Sequence, residues 1–86
     1  MTSAQRFATE WLANAQFART CTERDEPWPA WSTGEVLAVA VILRDTAMLT
    51  RLGYTEVEAL DRLRYDIGKP DLDAAARWFA DIRAQL

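Results

Sequence analysis

The 86-residue chain contains no histidine, so the commonest general base and the commonest metal ligand are both missing. Its one cysteine, Cys21, has no partner for an intramolecular disulfide and no histidine to activate it as a nucleophile. The free thiol points to a reducing compartment. Glycine is scarce too: Gly34, Gly53 and Gly68 lie far apart and make no phosphate-cradling loop. The longest apolar run, Val36 to Leu43, is well short of the roughly 20 residues a membrane-spanning helix needs. The amino terminus lacks the apolar core and cleavage site of a secretory signal. These absences lead to an expectation of a cytoplasmic protein without cofactor, metal or membrane attachment.

Positive charge is also in short supply. Ten basic side chains face 13 acidic ones, giving a formal charge of −3, so a broadly basic nucleic-acid binder is disfavoured. Nine of the ten are arginine and only Lys69 is lysine, a bias typical of GC-rich bacterial or phage genomes. Half of the chain is hydrophobic and about a quarter is charged, which suits one globular domain with a modest core.

Four helices are predicted, near residues 4–21, 33–52, 56–67 and 72–85, with no strand; the expected fold is an all-α small four-helix bundle. In the first, Ser3 is the expected N-cap, and Ala4, Phe7, Ala8, Trp11, Ala15 and Ala18 share one face. Residues 23–31 interrupt the pattern, because Pro27 and Pro29 lack amide hydrogens and press their predecessors toward extended geometry. This stretch reads as an ordered connector in which Trp28 and Trp31 act as hydrophobic plugs or as interface anchors.

The second helix opens on a capping box, Ser32 with Glu35, and is apolar all round from Val36 to Leu43, as a central helix would be. The β-branched Val36, Val39, Val41 and Ile42 also allow a buried strand, but the capping box favours helix. Gly53 is expected to end this helix in the left-handed region. The third repeats the box with Thr55 and Glu58, turns Val57, Leu60, Leu63 and Ile67 inward, and stops at Gly68. Asp71 caps the fourth, whose apolar stripe is Leu72, Ala75, Ala76, Phe79, Ile82 and Leu86. Arg83 near its end complements the helix dipole.

Leu49, Leu52-Gly53-Tyr54-Thr55, Ala59-Leu60, Leu63-Arg64, Leu72-Asp73, Ala75, Trp78 and Phe79 together resemble the ubiquitin-associated (UBA-like) three-helix family over roughly residues 45–83. The resemblance implies a three-helix bundle whose glycine–aromatic loop and last helix form an apolar patch. On this chain that patch would comprise Leu52, Gly53, Tyr54, Phe79 and Ile82. Phe17, off the main stripe of the first helix, and Trp78, flanking that of the fourth, are further contact candidates.

No arrangement of residues signals an enzyme. Asp71 with Asp73 and Glu56 with Glu58 are explained as caps and solvated faces, and the acidic spacing fits neither a calcium loop nor a zinc pattern. The leading expectation is a non-catalytic module that binds another protein, with a homodimer as a further outlet for hydrophobic surplus. The alternative is a helix-turn-helix DNA-binding regulator using Arg51, Arg62 and Arg64, opposed by Glu56, Glu58, Asp61 and Asp66 on the same segment.

Overall fold

The computed structural model describes residues 2–86, among which there are five helices and no strand. They are α1 (Ser3–Glu23), α2 (Thr33–Leu43), α3 (Thr46–Arg51), α4 (Glu56–Asp66) and α5 (Leu72–Arg83). Every one starts on a side-chain oxygen that accepts from the first turn: Thr2, Ser32, Asp45, Thr55 and Asp71. The boxes at Ser32–Glu35 and Thr55–Glu58 form as expected. At α1 the cap is Thr2 rather than Ser3, because Gln5 reaches back to the Thr2 N–H at 2.7 Å and completes a box there.

The expected helix over 33–52 is two helices. Arg44 turns left-handed (φ 53°, ψ 40°), and the Asp45 N–H donates back to the Ala40 carbonyl at 2.9 Å. The Asp45 carboxylate then accepts from the Met48 N–H at 3.0 Å and starts α3. An aspartate three residues ahead of an apolar pair is an N-cap signal in its own right, and here it outweighs the continuous apolar pattern. The bundle therefore has five helices where four were expected.

α2 is the hub and packs on each of the other four helices. Residues 37–42 are all buried, so its all-round apolarity is matched by neighbours on every side. The radius of gyration, 12.1 Å, equals the roughly 12 Å expected for a compact chain of this length, so the helices form one body. α1 contributes Trp11, Ala15 and Ala18, its small side chains lying on the face turned to the core. Trp11 is sandwiched between Phe7 (ring centroids 4.6 Å apart) and Phe79 (6.0 Å), and meets Trp78 edge-on at 5.7 Å. These stacked and edge contacts join α1 to α5.

Three inward assignments are corrected. Val57 is exposed: α4 buries Ala59, Leu60 and Leu63, followed by Ile67, and at about 100° per residue Val57 falls on the far side from Ala59. Leu72 and Ala76 are also exposed, leaving Ala75, Phe79 and Ile82 as the buried stripe of α5. Gly53 (φ 82°) and Gly68 (φ 66°) end α3 and α4 in the left-handed region, as expected. No helix among the described residues is long and apolar enough to cross a membrane.

Candidate functional site

The residues nominated from sequence are divided by the fold into places with different properties. Phe79 and Ile82 are core residues, 1% and 3% exposed, and correct the expected patch: the third turn of α5 lies against α2 and α4, not solvent. Leu52 and Tyr54 are half-buried beside the exposed Gly53 in the loop between α3 and α4. The Tyr54 hydroxyl accepts from Arg62 Nη1 at 2.7 Å, with the guanidinium over the ring at 5.7 Å. Phe17 stands out from α1 at 56% exposure, while Trp78 is half-buried on Trp11 and Phe79.

Trp28 and Trp31 do come together. Their ring centroids are 6.4 Å apart, and both rings pack against the core cluster while keeping part of their surface in solvent. The connector that carries them is ordered by local bonds. Asp25 takes a positive φ of 55°, the Glu26 N–H closes onto the Cys21 carbonyl at 2.8 Å, and the Trp31 N–H donates to Pro29 O at 2.8 Å. The Trp28 indole Nε1–H donates to Thr22 Oγ1 at 3.1 Å, locking that ring to the end of α1. The two tryptophans are thus both plugs and partly open surfaces.

They line an open cleft of about 610 Å³ between the connector and the α2–α3 junction. Pro27 and Pro29 supply stiff apolar walls, and Val36 and Met48 supply the helical side. Asp25, Glu26 and Asp45 face one cation, Arg51, giving this lining a formal charge of −2. Sequence reasoning assigned Arg51 to a nucleic-acid surface; the fold brings it to the tryptophan cleft. Asp25, Glu26, Asp45 and Met48 were not nominated, because their shared position depends on the turn at Arg44–Asp45.

The remaining candidate arginines already have partners. Arg64 donates to Asp61 (2.8 Å), to the Pro70 carbonyl (3.2 Å) and to the Tyr65 hydroxyl (2.8 Å). The Asp61 bond is the main cause of an Arg64 pKa raised above its ordinary value. Arg62 is held by Tyr54. A phosphate would share these guanidinium groups with their present partners.

Cys21 is buried at the end of α1, and among the described residues no three His, Cys, Asp or Glu side chains gather to hold a metal ion. The Glu58 carboxyl lies below its ordinary pKa because it accepts from the Thr55 backbone N–H and then from the Thr55 side chain, a capping role. Comparison with protein families, curated proteins and solved structures finds no match to the chain.

Proposed function

We propose that this chain is a non-catalytic protein-interaction module, a small accessory, adaptor or inhibitor protein of bacterial or phage origin working in the cytoplasm. The observation that carries the reading is the paired, half-open Trp28 and Trp31 on a connector held by its own hydrogen bonds. Tryptophan is enriched among the few residues that dominate binding at interfaces. Because the indole of Trp28 is already anchored to Thr22, docking onto it costs little conformational entropy. The acidic rim of Asp25, Glu26 and Asp45 favours an extended partner segment carrying an arginine beside apolar residues. Its guanidinium would meet carboxylates and indole faces together. A UBA-like arrangement of α3, α4 and α5 is part of the same proposal, supported by the left-handed Gly53 before Tyr54.

The test is a titration of the full chain with a capped peptide containing one arginine between two prolines, read by NMR of the indole N–H groups. Saturable shifts at Trp28 and Trp31 are expected, weakened about tenfold by the double change Asp25→Asn, Glu26→Gln, a loss equivalent to about 1.4 kcal/mol. Unchanged indole signals at saturating peptide would overturn the reading. Steeply salt-dependent binding to random duplex DNA, with shifts at Arg62 and Arg64, would replace it with the regulator alternative.

A further inference from the structure

A second groove shares no lining residue with the tryptophan cleft. It lies where the end of α2, the start of α4 and the outer face of α5 meet, and has a volume of about 300 Å³. Ala76 contributes exposed apolar surface, and the buried Val41, Leu60 and Phe79 lie beneath it. Its charged lining is Arg44, Arg77 and Arg83 against the single carboxylate Glu56, a formal +2 on a chain whose total is −3.

None of these cations forms an ion pair among the described residues, although Asp73 and Asp81 flank Arg77 four positions away on α5. Arg83 spends Nε and Nη2 on the carbonyls of Ile42 and Val41, neutral partners that leave its charge unbalanced. The side chains of Arg44 and Arg77 make no hydrogen bond or ion pair among the described residues. Arg44 is also held on a left-handed backbone, which points its side chain's origin away from the helical path of α2. Burial first and then the neighbouring Arg44 charge push the Arg83 pKa down, and Glu56 opposes them without reversing the direction. Arg64 has Asp61 and Arg62 has the Tyr54 hydroxyl and ring, whereas Arg6, Arg19, Arg24 and Arg51, like Arg44 and Arg77, make no side-chain hydrogen bond or ion pair among the described residues.

We propose that this groove is a docking site for an acidic peptide segment of a partner protein, with a carboxylate side chain bridging Arg44 and Arg77 and an adjacent aliphatic side chain over Leu60 and Ala76. Charge complementarity selects that occupant. A carboxylate pairs with guanidinium groups through two parallel N–H bonds, and the fixed Arg83 adds attraction without having to move. An aliphatic side chain would also cover the exposed Ala76, which a bare inorganic anion would leave wet. Glu56 at the rim opposes overloading and favours one carboxylate over a multiply charged phosphate cluster.

The experiment uses the full chain and a capped tetrapeptide alternating aspartate and leucine, with the asparagine–leucine peptide and inorganic phosphate as separate arms. NMR of the arginine Nε–H signals reports where each probe binds. The aspartate peptide should shift Arg44 and Arg77 saturably and bind at least about tenfold more tightly than the asparagine peptide. The double variant Arg44→Gly, Arg77→Gln should lose that preference while keeping its far-ultraviolet circular dichroism; Arg83 is left intact because it ties two helices together. Equal affinity for the two peptides would overturn the proposal, as would shifts confined to other arginines. Phosphate binding as tightly as the aspartate peptide would also overturn it, reducing the groove to a general anion site. Since the tryptophan cleft uses none of these residues, either site can fail while the other stands.

Discussion

Arg83 on α5 donates from Nε to the Ile42 carbonyl and from Nη2 to the Val41 carbonyl, both at 2.8 Å. The guanidinium therefore helps close the open end of α2, supplying the Ile42 carbonyl with a donor and giving Val41 O a second one beside the Arg44 N–H. It does so across 41 and 42 residues of chain, linking the two helices that hold much of the core. Arg83→Met keeps the aliphatic stem but leaves the Ile42 carbonyl without its partner, while Val41 O keeps the Arg44 N–H at 3.2 Å, and should cost about 1–3 kcal/mol. Arg83→Lys should recover only part of this, because an ammonium cannot present two parallel donors. Urea unfolding midpoints of the three proteins check the order.

Backbone handedness gives a pair of predictions with opposite signs. Arg44 occupies the left-handed region at φ 53°, which costs a residue with a Cβ roughly 1–2 kcal/mol. Arg44→Gly should raise the thermal midpoint. Gly53→Ala and Gly68→Ala should lower it, each costing about 1 kcal/mol of stability through the backbone alone. A Cβ at either glycine would meet no atom within 4 Å. Calorimetry of the three variants reads both signs.

Acid should loosen the start of α4. The folded-state pKa of Glu58 is depressed, so its contribution to stability is present above the unfolded carboxylate pKa and is lost as pH falls through the folded value. Thr55→Ala removes the side-chain bond while the stronger backbone bond from residue 55 remains. The Glu58 titration midpoint, followed by carbon-13 NMR, should therefore move only partly back toward its ordinary value.

Phe79 and Phe17 should behave in opposite ways. Phe79→Ala opens the core beside Trp11 and should cost about 3–5 kcal/mol, a large share of the stability of so small a domain. Phe17→Ala, at an exposed position, should change stability by less than about 0.5 kcal/mol. Chemical denaturation of both tests the assignment of Phe79 to the core rather than to a binding patch.

The Trp28 indole bond has a spectroscopic signature. Thr22→Val removes the acceptor, so the Trp28 Nε1–H should exchange faster with solvent and the chain should lose about 1 kcal/mol or less.

What was legible in the sequence lies within a few residues along the chain. The boxes at Ser32–Glu35 and Thr55–Glu58, the Asp71 cap and the stops at Gly53 and Gly68 each depend on groups at most four positions apart. The apolar run in α2 announced a helix surrounded on all sides, and the stripe from Ala4 to Ala18 announced the buried face of α1. Local chemistry also contained the break at Arg44–Asp45, but a longer apolar pattern running across it masked the aspartate cap.

Periodicity marks which side chains are apolar, without saying which apolar ones meet solvent. Phe79 and Ile82 have the same composition as a docking patch, and only the approach of α2 and α4 makes them core. Sequence alone determined the all-helical class, the caps at Ser32, Thr55 and Asp71 and most of the inward faces, because those follow from hydrogen bonds and side-chain spacing inside one segment. Tertiary structure alone decided the rest: Arg83 on α2, Arg51 at the tryptophan cleft, and three arginines around one groove. Each joins residues from different segments, and charges distant in sequence interact only once packing has brought them near.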